Sequence, residues 1–262
     1  GLRQLGVIID ESHGYLECEA SKMTGADIHL DYPSVGATEN IMLAATQAKG
    51  RTKIRNAAKE PEITDLQDFI NSMGGKVHGA GSNTITIDGM AEFHETEYTV
   101  IPDRIIAGTY LIAAAVTGSD MAVDNVVLEH IQALVNKLRE TGCIISPVNG
   151  VHTGTVRIQA PQRLNAVENT KTYPYPGFPT DMQALLMSAL SVAKGTSIIT
   201  ENIFENRFKH VPELIRMGAH IRTEGKIAVI QGIPRLKGAE VTAGDLRGGA
   251  ALVLAGMNAE GE

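Results

Sequence analysis

The 262-residue chain has no tryptophan, and only 4% of its residues are aromatic. Single-stranded nucleic acid is held largely by stacking on aromatic platforms, so that class of partner is excluded. Lys and Arg form no cluster and the net charge is −7, which excludes the basic footprint of a duplex binder as well. No run of apolar residues approaches the length of about eighteen that a membrane span needs. The two cysteines, Cys18 and Cys143, have neither CxxC nor zinc spacing, and no secretory pattern opens the sequence. A reducing cytoplasm fits best, with both thiols expected to be packed against neighbours. The histidines are scattered without an HExxH pattern, so no metal and no cofactor is expected.

What is present is a globular composition, 43% hydrophobic and 20% charged, long enough for one large or two ordinary domains. The pattern within it is a repeat. An Ala-rich apolar helix runs towards a glycine three times, at Gly50, Gly118 and Gly195. A short strand follows each time and ends at asparagine, in Lys53–Asn56, Met121–Asn125 and Ile198–Asn202. An amphipathic helix comes next, with apolar residues at helical spacing such as Ile63, Leu66 and Ile70, or Leu128, Ile131 and Val135. It stops at Gly75, Gly142 or Gly218, where a C-terminal glycine is favoured. A hairpin of strands closes each copy, around Thr84–Ile87, Val156–Ile158 and Ile227–Ile230.

The unit is therefore βαβαββ. Residues 2–18 match only its back half and residues 239–261 only its front half, which predicts the middle of a longer repeating chain. The Ala-rich helices lack a polar face and are expected to be buried, while alternating strands keep one wet face. This predicts an α/β fold turned inside out, helices within and sheets outside. A boundary between units is expected near Ile101–Pro102, dividing the chain into residues 1–101 and 102–262.

Chemistry is expected at the loops that enter the Ala-rich helices, where free backbone N–H groups favour anions. Tyr32, Pro33, Ser34, Val35 and Gly36 enter the first such helix, with Ser34 readable either as a helix cap or as a phosphate contact. Asp103-Arg104 reads as a structural pair. The proline-rich run Tyr173–Pro179 cannot be regular helix and leads straight into an apolar stretch, Met182–Ala193. Asp181 sits between them, at a helix mouth, where its ordinary role would be an N-cap. Arg207 and Arg247 stand at equivalent loop ends of neighbouring copies and can converge on one anion, since a guanidinium fork matches carboxylate or phosphate.

Pro33-Ser-Val-Gly-Ala-Thr38, Glu60-Pro-Glu-Ile63, Phe178-Pro-Thr-Asp-Met-Gln-Ala184, Phe204-Glu-Asn-Arg-Phe208, His210-Val-Pro-Glu-Leu214 and Asp245-Leu-Arg247 stand in order along the chain. Together they resemble the UDP-N-acetylglucosamine 1-carboxyvinyltransferases, the enolpyruvyl transferases that open bacterial peptidoglycan synthesis. The resemblance implies an inside-out α/β barrel of six βαβαββ units in two domains, both partial in this chain, with the active site in the cleft between them. It implies transfer of an enolpyruvyl group from phosphoenolpyruvate to the 3-hydroxyl of UDP-N-acetylglucosamine, with phosphate released. Asp181 matches the family's proposed base at that hydroxyl. Tyr32, Pro33, Ser34, Val35 and Gly36 match the nucleotide-binding stretch, where some members carry Lys at the position of Tyr32. Ile203 matches an apolar position beside the sugar, and Arg207 and Arg247 match arginines of the anion-binding cleft.

The resemblance also implies that the family's reactive cysteine lies outside these residues. Neither Cys18 nor Cys143 is expected to take its role, and the 262 residues alone are expected to be inactive. The expected partners are the two small substrates, with no nucleic acid, membrane or protein partner. An enolpyruvylshikimate-phosphate synthase, or a binding scaffold without activity, is the alternative that the repeat itself leaves open.

Overall fold

The computed structural model describes residues 1–148 and 153–261. Two compact units divide them, Gly1–Ile101 and Pro102–Glu262. The first opens with a hairpin of β1 (Ile8–Ser12) and β2 (Tyr15–Glu19), then runs through β3 (Asp27–His29), α1 (Val35–Ala45), β4 (Arg51–Arg55), α2 (Pro61–Ser72), β5 (Val77–His78) and β6 (Thr84–Asp88). The second runs α3 (Arg104–Thr117), β7 (Asp120–Val127), α4 (Gln132–Glu140), β8 (Ile144–Pro147), β9 (Thr153–Gln159), β10 (Thr170–Lys171), α5 (Gln183–Leu190) and β11 (Thr196–Thr200). It ends with α6 (Val211–Arg216), β12 (His220–Glu224), β13 (Ile227–Gln231), β14 (Leu236–Lys237), α7 (Leu246–Gly256) and β15 (Ala259–Glu260).

Sheet order makes the repeat explicit. One four-stranded sheet is ordered β3-β4-β6-β5 and another β10-β11-β13-β12. In both, the first pair is parallel and the other pairs antiparallel. The middle copy forms three strands, β7-β9-β8, without a first strand among the described residues. The chain opens on a β1-β2 hairpin and closes on the parallel pair β14-β15, the back and front halves of the same unit. The described strands form five sheets, each with a linear order.

Register corrects one detail of the repeat. Arg51 pairs with Asp88, Asp120 with Gln159 and Thr196 with Gln231, so the three strands start in step. Counting from those starts, Asn56 and Asn125 fall on one position and both are left-handed, with φ of 55° and 56°. The third copy places Glu201 there, and Asn202 follows it. Matching the strands by their terminal asparagines slides the third copy by one residue.

Gly75 is corrected likewise: the left-handed residue ending α2 is Gly74, with φ of 99°. Two further glycines are required by contact. A Cβ on Gly89 would lie 1.8 Å from the Ala48 carbonyl oxygen, and one on Gly232 would lie 1.9 Å from that of Ala193. Each follows the last strand of its copy and donates its amide to the residue before the partner strand, Gly50 or Gly195.

In the second unit the apolar helices α3, α5 and α7 pack on one another, and every residue of α5 is buried. Around them β11 and β13 bury alternate residues and leave the other face wetter, as the pattern of apolar and polar residues dictates. Burial is incomplete for the other Ala-rich helices. Leu43 of α1, Ile106 and Tyr110 of α3, and Val253 of α7 are exposed. The first unit has its own core, with Ile28, Ile54, Ile85 and Ile87 of the sheet against Ile41, Met42, Ile63 and Ile70 of the helices. Cys143 is buried, which pushes its thiol pKa up, but Cys18 is exposed on the β1-β2 hairpin, against expectation. No helix among the described residues is long and apolar enough to cross a membrane.

Candidate active site

Asp181 lies in a single 3-10 turn, Thr180–Met182, between the proline-rich loop and α5. It is not an N-cap. Met182 occupies the cap position of α5, with no side-chain cap bond among the described residues. The Asp181 carboxylate instead accepts from two arginines through one oxygen. Arg247 donates Nε to Oδ1 at 3.0 Å, and Arg207 donates Nη2 to the same atom at 3.3 Å. Oδ2 has no protein donor among the described residues. One oxygen is anchored and the other is left open. Asp181 and both arginines are partly exposed, so a ligand can reach them.

Each arginine is held from behind. Arg247 sits in the first turn of α7, which Asp245 caps by accepting from the Gly248 amide at 2.8 Å. That bond, helped by the nearby charge of Arg207, holds the Asp245 carboxyl below the usual carboxylate range. Arg207 follows Asn206, whose φ of 55° turns the loop, and its guanidinium carbon lies 4.9 Å from the centre of the Phe204 ring. An open hollow of about 260 Å³ lies beside it, lined in part by Phe204, Asn206, Phe208 and Lys226. The two arginines therefore converge on one anion as their sequence positions suggested, and in this structure that anion is Asp181.

His210 is 97% buried next to this group, with its Cβ against the start of α7. Burial pushes its pKa down to about 4, with Arg207 adding to the fall and the Asp245 charge opposing it. The unfolded chain, with an ordinary histidine near 6.5, takes up this proton first. Stability is thus whole above pH 6.5 and lost as pH falls from there through about 4. The expected loss from this group between about pH 7.5 and pH 5 is about 2 kcal/mol. Urea midpoints at the two pH values check it: His210→Leu should flatten the slope by that amount, and an unchanged slope contradicts it.

The other expected site residues are placed as follows. Ser34 caps α1, its hydroxyl oxygen accepting from the Ala37 amide at 3.3 Å. The amides of Val35 and Gly36 remain at the helix mouth, where an intrahelical partner is absent by construction. Nothing lies within 4 Å of where a Gly36 Cβ would be. Tyr32 is largely exposed and Pro33 half-buried beside them. This stretch belongs to the first unit, whereas Asp181, Ile203, Arg207 and Arg247 belong to the second. Ile203 is half-buried, its amide donating to Glu201. Asp103 proves to be a cap, accepting from the amides of Ile105 and Ile106 at 2.8 and 3.0 Å. Arg104 lies over the Tyr175 ring, its guanidinium carbon 5.7 Å from the centre.

The sequence profile of EPSP synthase (3-phosphoshikimate 1-carboxyvinyltransferase) matches residues 1–262, the whole chain. The chain belongs to the EPSP synthase family. Two curated relatives in that family are UDP-N-acetylglucosamine 1-carboxyvinyltransferases. One, from Caldanaerobacter subterraneus subsp. tengcongensis, is 57% identical over 261 residues, covering all of this chain and 62% of the relative. Another, from Carboxydothermus hydrogenoformans, is 52% identical over 261 residues and is covered to 61%. The chain thus spans somewhat over three-fifths of such relatives. Among solved structures, the enolpyruvyl transferase NikO from Streptomyces tendae superposes with a TM-score of 0.85 at 22% identity, over 97% of this chain and 62% of that one. An EPSP synthase from Acinetobacter baumannii gives 0.67 at 21% identity, over 99% and 63%. These two likenesses establish the enolpyruvyl transferase fold.

Proposed function

We propose that the whole protein transfers the enolpyruvyl group of phosphoenolpyruvate to the 3-hydroxyl of UDP-N-acetylglucosamine with release of phosphate, in the bacterial cytoplasm, as the first committed step of peptidoglycan synthesis. The observation that carries this reading is the Asp181 carboxylate, with Oδ1 held by two arginines and Oδ2 open. A base must meet the proton it takes within hydrogen-bond reach and at a fixed angle. Anchoring one oxygen supplies the angle, and leaving the other unpartnered supplies the lone pair. As the sugar oxygen attacks C2 of the donor, Oδ2 takes its proton and the C2–C3 electron pair takes up a proton at C3. Loss of a C3 proton then re-forms the double bond as the C2–O bond to phosphate breaks.

Arg207 and Arg247 each spend one N–H on Asp181 and keep the others for a second anion. Those unspent N–H groups match the phosphate or carboxylate of the donor. The helix mouth at Tyr32–Gly36, with the amides of Val35 and Gly36, suits the diphosphate of the acceptor. Ile203 supplies an apolar surface beside the sugar. The acceptor assignment draws on the relatives, which are named for UDP-N-acetylglucosamine.

Phosphate release from phosphoenolpyruvate by the whole protein tests the reading, with product mass as the second readout. Release is expected with UDP-N-acetylglucosamine and not with shikimate 3-phosphate. The reverse preference would reassign the acceptor, and silence with both would remove the reading. The 262 residues alone, spanning 62% of such a relative, are expected to release none.

A further inference from the structure

Glu201 has a chemistry that the proposed reaction does not use. It is only 1% exposed and has no cationic partner among the described residues. A buried carboxylate is costly unless hydrogen bonds replace its water. Four donors do so here. Oε1 accepts from the Thr172 hydroxyl at 2.9 Å, the Ile203 amide at 2.8 Å and the Phe204 amide at 3.2 Å. Oε2 accepts from the Thr180 hydroxyl at 2.9 Å. The Glu201 amide in turn donates to the Lys226 carbonyl at 2.8 Å, fixing the residue to the turn between β12 and β13.

Three of those four donors come from the two segments that must meet, and the fourth, Thr172, follows β10. Thr180 is the residue before Asp181, and Ile203 and Phe204 begin the loop that carries Arg207. Charge-assisted bonds of this kind are shorter and stronger than neutral ones. The other two copies of the repeat have asparagine at this position, both left-handed, Asn56 just after β4 and Asn125 within β7 where its register shifts. Asn56 reaches only one group of the neighbouring strand's end, donating Nδ2 to the Leu30 carbonyl at 2.8 Å. In the third copy Asn202 makes that contact, donating Nδ2 to the Thr172 carbonyl at 3.2 Å, and Glu201 adds a carboxylate in the copy whose loops bear Asp181 and Arg207. With both oxygens occupied and the side chain sealed, it cannot touch substrate.

We infer that Glu201 is a positioning residue: its carboxylate ties the Thr180-Asp181 turn to the Ile203–Arg207 loop and so holds Arg207 at contact distance from Asp181. The inference rests on the proposed function for its kinetic consequence, though not for its structural one. Gln at this position can keep the three bonds to Oε1 through its carbonyl. Its NH2 then faces Thr180, whose hydroxyl can turn and accept. Ala keeps none of the four.

The experiment uses the whole protein with Glu201→Gln, Glu201→Ala and Thr180→Val, measuring kcat, KM for phosphoenolpyruvate, thermal midpoint and a crystal structure of each variant. Glu201→Ala should lower kcat by about tenfold or more, because small misplacements of reacting groups are expensive. Glu201→Gln should recover most of that loss. Thr180→Val deletes a single hydroxyl and keeps the fold even if Glu201→Ala does not. It should lower kcat severalfold with the thermal midpoint little changed. In both damaging variants the Arg207–Asp181 contact of 3.3 Å should open. Should Thr180→Val keep that contact and full kcat, or should Glu201→Gln be as damaged as Ala, the inference fails. If wild type turns over neither acceptor, the proposed function has failed, and the Arg207–Asp181 distance in the variants still decides the role of Glu201.

Discussion

Asp181→Asn in the whole protein is expected to lower kcat by about 10²–10⁴, the usual contribution of a positioned general base. The argument is geometric. The amide oxygen of Asn can take the place of Oδ1 and still accept from Arg207 and Arg247. Its NH2 then occupies the place of Oδ2, so a donor faces the hydroxyl where an acceptor is needed. Binding of UDP-N-acetylglucosamine should change little, since the nucleotide is assigned to the Tyr32–Gly36 stretch. The thermal midpoint should barely move, for either Asn or Ala. Asp181 caps no helix, so Ala forfeits no cap energy. Its ion pairs are more than a third exposed on the carboxylate side, where such pairs contribute at most about 1 kcal/mol. Steady-state rates and a melting curve on wild type, Asn and Ala settle the matter. Retention of kcat within a few-fold by Asn would mean that Asp181 only orients the two arginines. A large drop in midpoint for Ala alone would restore the capping role.

Much of this was readable in the residues, and the failures have physical causes. The βαβαββ repeat was legible because buried helices, half-wet strands and turn glycines each leave a local signature. The convergence of Arg207 and Arg247 followed from their equivalent places in neighbouring copies. Asp181 misled because an aspartate before an apolar helix is locally indistinguishable from a cap. Only the single 3-10 turn, Thr180–Met182, moves the helix start past it. Glu201 was hidden by its neighbour. The eye aligns Asn202 with Asn56 and Asn125, whereas strand register, a long-range property, aligns Glu201 with them. His210 gave no signal, because its burial depends on the start of α7, which lies well over thirty residues further along the chain. The exposure of Cys18 was equally illegible, since it follows from a hairpin whose strands bury almost nothing.

Replacing Arg207 or Arg247 by Ala is expected to raise KM for phosphoenolpyruvate about ten- to a hundredfold, the loss of a charged hydrogen bond worth roughly 1.5–3 kcal/mol. Affinity for UDP-N-acetylglucosamine should fall far less. Lys at either position should recover little, for a reason visible in the geometry. Arg247 spends its Nε on Asp181, which leaves both terminal nitrogens as an intact fork for an anion. Arg207 spends an Nη2 N–H and keeps Nε and Nη1. A lysine ammonium is a single point of charge that must choose between Asp181 and the donor. Arg207 has a further role that Lys fills poorly, since its planar guanidinium lies over the Phe204 ring at 4.9 Å. The rigid support of Arg247, in a helix turn capped by Asp245, makes Arg247→Ala the cleaner test of anion binding. Isothermal titration with each substrate separately, on both Ala variants and both Lys variants, is the measurement. Selective loss of the donor, with Lys close to Ala, supports a forked contact to its phosphate or carboxylate. Equal loss of both substrates would show that the arginines serve only to hold Asp181 and the loops around it.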